Sequence, residues 1–133
     1  MPRQYVNPAN LSDFKAAGKP LSHAVRVENT LYVSGQVGVS SEGRVLQGAA
    51  EQAELAWEKI RTVLSTAGGT LADVVSVTVY LTDITDLEHE HSVRRRLFSP
   101  DACPAATVVE VSALAIPGLV LEITVTAVLG PDD

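Results

Sequence analysis

Glu122 stands among apolar and threonine residues in Leu121-Glu122-Ile123-Thr124-Val125-Thr126, a setting that can strip a carboxylate of part of its water. Desolvation raises a carboxyl pKa toward neutrality, and a carboxyl group near its pKa can take a proton from water and hand one to a leaving group. The same carboxylate can instead hydrogen-bond Ser and Thr neighbours across a sheet, and the pattern alone leaves both readings open. His91 is a second acid/base candidate because an imidazole exchanges protons near neutral pH; a solvent-facing helix histidine is the alternative. Glu88, His89, Glu90 and His91 do not form a metal site, since residues two apart on a helix point to nearly opposite sides. Cys103, the single cysteine, cannot bridge internally and has no base beside it in sequence, so it reads as a loop thiol. His23 reads as a packing or turn residue and Arg94-Arg95-Arg96 as a solvated helix end. No glycine run has the spacing of a phosphate loop, so no nucleotide site is expected.

The elements that must position these groups are legible as periodicities. Leu121, Ile123, Val125, Ala127 and Leu129 alternate with Glu122, Thr124 and Thr126, as a half-buried strand requires. Val75, Val77, Val79 and Leu81 against Ser76, Thr78 and Tyr80 repeat the pattern, as do Leu31, Val33, Val37 and Val39 against Tyr32, Ser34 and Gln36. Ala24 to Val27 and Thr107 to Val111 predict shorter strands, and Arg3 to Val6 an edge strand. Ala53, Ala56, Trp57, Ile60, Val63, Leu64 and Ala67 form one helical stripe stopped by Gly68-Gly69, which makes Trp57 a core residue. Thr85-Asp86-Leu87-Glu88 has the form of a capping box opening a second helix that ends in Arg94 to Arg96.

The resulting order is β-β-β-α-β-α-β-β. Two helices can cover one face of a five- to six-stranded mixed sheet, so the expected fold is an α+β two-layer sandwich, with residues 1–133 forming a single domain. The uncovered face would carry Tyr32, Ser34, Gln36, Thr78, Tyr80, Val108, Glu110, Glu122 and Val128, too apolar for a solvated surface and too polar for a dry core. Such a face is expected to meet another copy of the chain around a partly wet centre.

Composition narrows the partners. The 133 residues are 46% hydrophobic and carry 10 basic against 16 acidic side chains, a formal charge of −6. That balance lacks the basic footprint of a nucleic-acid binder, so no nucleic acid is expected. The sequence has no run of about 18 apolar residues and no basic-then-apolar leader, so no membrane partner is expected and the protein reads as cytoplasmic.

Four segments in order resemble the Rid (reactive intermediate deaminase) family, also called YjgF or L-PSP. They are Pro20 to Val25 followed by Leu31-Tyr32-Val33-Ser34-Gly35-Gln36-Val37, the Ala/Gln-rich helix ending in Gly68-Gly69, Val77-Thr78-Val79-Tyr80-Leu81-Thr82-Asp83, and Pro104-Ala105 through Leu121-Glu122-Ile123. The resemblance spans roughly Pro20 to Val128. It implies a chorismate-mutase-like fold, a homotrimer, and clefts between subunits where enamines or imines are hydrolysed to a carbonyl and ammonia with no metal and no cofactor.

Carried over residue by residue, the resemblance retains Glu122 as the acid that positions water and the Ser34-Gly35-Gln36 turn as a substrate-binding element, since Gly35 lets the backbone approach a ligand closely. The family arginine directly after Pro-Ala, whose forked donors grip a substrate carboxylate, is Ala106 here. The family cysteine two residues on is Val108, the early tyrosine is Leu21, and the asparagine early in the second helix corresponds to His91. The expected function is therefore hydrolysis of a small reactive enamine or imine, with a substrate range altered at Ala106. The alternatives are a non-catalytic trimer that binds a small ligand and a deaminase of a conjugated ring-cleavage product such as an aminomuconate. The ribonuclease label attached to the family fits poorly with a charge of −6.

Overall fold

The alternating segments pair into one six-stranded sheet in the computed structural model, which describes residues 2–130. In chain order the elements are β1 (Arg3–Val6), β2 (Ala24–Val27), β3 (Thr30–Val37), α1 (Gly48–Thr66), β4 (Val74–Leu81), α2 (Leu87–Leu97), β5 (Ala105–Glu110) and β6 (Leu121–Val128). The sheet order is β1-β2-β3-β6-β4-β5, antiparallel except for the parallel pair β4–β5. The architecture is thus the expected mixed sheet with two helices.

Leu31, Val33, Val77, Val79, Leu81, Leu121, Ile123, Val125 and Ala127 turn inward and meet Ala53, Ala56, Trp57, Ile60, Val63 and Leu64 of α1. This core is the physical consequence of matching a two-residue strand period to a helical stripe, and each large aliphatic residue buried in it contributes about 1.5–3 kcal/mol. Gly68, at φ +87°, ends α1. Its N–H donates to Ser65 O at 3.0 Å and that of Gly69 to Leu64 O at 2.8 Å, the paired bonds of a Schellman turn.

Four local expectations change. Val75, expected inward with Val77, falls at an irregularity of β4: Val74 opposes Ala127 and Ser76 opposes Thr126, so Val75 has no place in the alternation and is exposed. Thr85 and Glu88 do not form a capping box: Asp83 accepts from the Thr85 N–H and hydroxyl, α2 starts after Asp86, and Glu88 turns to Arg95. A capping box does form at Thr70 and Asp73, ahead of β4.

In β3 an extra residue between Val33 and Gln36 makes a bulge, since Val33 opposes Val125 and Gln36 opposes Ile123. One inserted residue inverts the alternation. Gln36 is therefore buried on the helix side, and Val37 turns to the open face opposite Glu122.

In β5 the faces are also inverted relative to expectation. Val108 pairs with inward Val79 and Glu110 with inward Leu81, so Thr107 and Val109 occupy the open face. Glu110, at the sheet edge, accepts from the Ile84 N–H at 2.9 Å.

Candidate active site

The Glu122 carboxyl is half-buried on the open face of β6, flanked by Val37 of β3 and Tyr80 of β4. Three features place it there. The Thr124 hydroxyl donates to Val33 O at 2.7 Å beside the bulge. Gln52, fully buried in α1, accepts from the Val120 N–H at 2.9 Å and donates to the Leu46 and Gly118 carbonyls, which fixes the chain entering β6. Gly35 leaves the space that the carboxylate fills: a β carbon at Gly35 would lie 2.7 Å from Glu122 Cδ. Burial raises the Glu122 pKa from its ordinary value, and no described residue donates a hydrogen bond to offset it.

Ser34 and Leu21 lie on the same side of the sheet. Both border a hollow of about 760 Å³ walled by Tyr5, Phe14 and Val25. The Ser34 hydroxyl donates to Ser22 O at 2.6 Å, which ties the bulge to the loop that carries Leu21. Leu21 is exposed, at 44% of its full surface.

Gln36, expected at the ligand-facing turn, serves this loop from inside. Its amide nitrogen donates to His23 Nδ1 at 3.3 Å and to Ser34 O at 3.2 Å. His23 Nε2 in turn donates to Ser12 O at 2.9 Å, and Phe14 stacks on the ring at 4.2 Å. His23 is thus a buried packing residue that pins the loop, as its isolation in sequence implies.

His91, Ala106 and Val108 form a separate group on the helix side. They border a hollow of about 310 Å³ between α2 and β5, together with Arg94, Arg95, Phe98, Cys103 and Pro104. The site residues named from sequence therefore divide by sheet face: Leu21, Ser34, Gly35 and Glu122 on the open side, His91, Ala106 and Val108 on the other. Arg94, Arg95 and Phe98 join this group without having been marked by the sequence as site residues. Their signal is the helical spacing His91, Arg94, Arg95, Phe98, one face of α2, hidden within what reads as a run of solvated charge.

Among the described residues no group of three His, Cys, Asp or Glu side chains is placed to hold a metal ion, and no helix is long and apolar enough to cross a membrane. Cys103 is exposed, its thiol donating to Ser99 O at 3.4 Å.

The family profile described as Endoribonuclease L-PSP matches residues 12–129. Over 125 residues the chain is 36% identical to human 2-iminobutanoate/2-iminopropanoate deaminase, covering 91% of this chain and 90% of that one. The crystal structure of RidA from an Antarctic Psychrobacter superposes with a TM-score of 0.80 at 34% identity, covering 95% of this chain and 99% of the other. A yeast protein of known structure superposes with a TM-score of 0.87 at 28% identity, covering 97% and 100%.

Proposed function

Because the chain belongs to the YjgF/Rid family, whose profile carries the L-PSP endoribonuclease description, we propose that it is a hydrolase of small reactive imines or enamines. Glu122 is the group that carries this reading: a half-buried carboxyl with a raised pKa, held over a glycine on an uncovered face. Imine hydrolysis adds one water across the carbon–nitrogen double bond and then expels ammonia, so one imine and one water give one carbonyl compound and one ammonia. The Glu122 carboxylate takes a proton from the attacking water and returns it to nitrogen, and a carboxyl whose pKa is lifted toward the working pH does both steps more evenly than an ordinary one.

The assembly that completes the site is a homotrimer. Tyr32, Val109 and Val128 lie 54, 37 and 46% exposed on the open face, apolar surface that a neighbouring copy would cover. Glu122 and the α2–β5 hollow occupy opposite faces of one sheet, so they meet in one cleft only if contributed by different copies. No cofactor or metal enters the chemistry as proposed.

The experiment is the initial rate of ammonia release from freshly generated 2-iminopropanoate and 2-iminobutanoate, the substrates in the name of the human relative, for wild type and Glu122→Ala. Wild-type acceleration that falls about 100-fold or more in Glu122→Ala supports the proposal. A wild type no faster than the uncatalysed reaction on these and on uncharged enamines overturns it.

The apolar residues Leu21, Ala106 and Val108 favour a second reading, a trimer that binds a small ligand without turning it over. Thermal stabilisation by a 2-oxo acid in the absence of any turnover selects that reading.

A further inference from the structure

Lys59 is the one lysine of three that the fold takes partly out of water. Lys15 and Lys19 stand exposed in the loop before β2, whereas Lys59 belongs to α1 and is half-buried. Its Nζ donates to Val37 O at 3.0 Å, at the end of β3, and pairs with no carboxylate among the described residues. An ammonium held by one carbonyl loses hydration without gaining a counter-ion. Burial therefore lowers the Lys59 pKa, and its neutral, nucleophilic form is more abundant near pH 7 than that of an ordinary lysine.

The amine borders a hollow of about 670 Å³ formed by α1, the loop before β2 and the turn after β3, away from the open face that carries Glu122. Half-buried Leu11, Val39, Leu46 and Leu55 give the hollow apolar walls. Backbone bonds hold these walls: the Leu46 N–H donates to Gly38 O at 3.0 Å, and the Ser40 N–H to Arg44 O at 2.8 Å. On the other side His23 pins the loop at Ser12. Besides Lys59, the ionisable side chains that line the hollow are exposed Asp13 and Glu58, both acidic. An anionic ligand would meet two carboxylates there and no cation other than Lys59.

We propose that Lys59 is a covalent capture site for uncharged aldehydes with an apolar tail. The lone pair of the neutral amine attacks the aldehyde carbon, the carbonyl oxygen leaves as water with the two amine hydrogens, and a carbon–nitrogen double bond joins the tail to Lys59. One amine and one aldehyde give one imine and one water, reversibly and with no oxidant or co-reactant. Protonated, the imine keeps one N–H for Val37 O. The tail rests on the leucines and Val39, in a volume within the range of about 300–1,000 Å³ that small-molecule sites occupy. Asp13 and Glu58 disfavour an aldehyde that carries a carboxylate. The site goes beyond the proposed hydrolysis and does not depend on it.

The test treats the whole protein at pH 7.5 with 4-methylbenzaldehyde or with 4-formylbenzoate, which is similar in shape but anionic. Cyanoborohydride present in the mixture reduces each imine to a stable amine, and mass spectrometry of the peptides gives a rate at each lysine. Lys59 should be labelled by 4-methylbenzaldehyde about tenfold faster than Lys15 and Lys19, and this preference should vanish with 4-formylbenzoate. Leu55→Glu, which adds a carboxylate to the hollow, should also abolish the preference, whereas Glu122→Ala should keep it. Labelling spread evenly over the three lysines, the same preference with both aldehydes, or a Lys59 rate unchanged in Leu55→Glu overturns the proposal. Loss of the labelling in Glu122→Ala overturns it as well, by tying the reaction to the open face, while selective labelling in a protein that hydrolyses no imine supports the capture site and removes the hydrolase.

Discussion

The carboxylate of Glu122 occupies the space where a side chain at Gly35 would begin: a β carbon there would lie 2.7 Å from Glu122 Cδ and 2.8 Å from Cγ. The two residues sit on adjacent strands, and the bulge after Val33 is what brings Gly35 under the acid. Gly35 is thus required by Glu122 rather than by an unusual backbone angle.

Gly35→Ala should therefore displace the Glu122 side chain with little harm to the fold, because a glutamate can rotate away where backbone could not. The expected result is ammonia release reduced about 100-fold, as in Glu122→Ala, with a thermal midpoint within a few degrees of wild type. Full activity in Gly35→Ala would show that the carboxylate does not act from this position.

Glu122→Gln should stabilise the protein at neutral pH. Below the unfolded carboxyl pKa, about 4.3, the group is protonated in both states and costs nothing. As pH rises past that value the unfolded chain releases its proton first, so the raised pKa of folded Glu122 becomes a penalty, complete above the folded pKa. Removing the charge should gain at most about 1 kcal/mol at pH 7–8, since half the side chain remains solvated, and the gain should vanish below about pH 4. Urea unfolding of both proteins at pH 3.5 and 7.5 reads this directly.

Glu90→Ala should be costly. It leaves the Trp57 N–H and most of the Arg94 guanidinium without their acceptor inside the core, a loss of about 3–5 kcal/mol in urea unfolding. Glu90→Gln, which keeps an oxygen for Trp57, should cost less.

Ala106→Arg adds a forked cation to the apolar floor beside Arg94 and Arg95. Activity on 2-imino acids should rise about tenfold or more in kcat/KM, with no gain on uncharged imines, and the gain should disappear when Glu122→Ala is combined with it. An equal rise on both substrate classes would mean that the new side chain acts by some route other than the carboxylate.

The strand and helix periods, the Gly68-Gly69 stop and the α+β layering follow from local sequence, because alternation and a 3.6-residue stripe each bury one face whatever the neighbours are. Glu122 is legible for the same reason, as the acid in the polar phase of a strong strand. The inversions at Gln36 and Val108 are not. A bulge is an extra residue relative to a partner strand, and the facing of an edge strand depends on which residue it is paired with; neither property exists until two segments meet. Likewise, the spacing of His91, Arg94, Arg95 and Phe98 marks a helix face, but only the packing of α2 against β5 turns that face into the wall of a hollow. Local periodicity sets the layers and puts Glu122 in the polar phase of its strand. Strand pairing decided which face each remaining side chain occupies, because facing is set by contacts between segments distant in the chain.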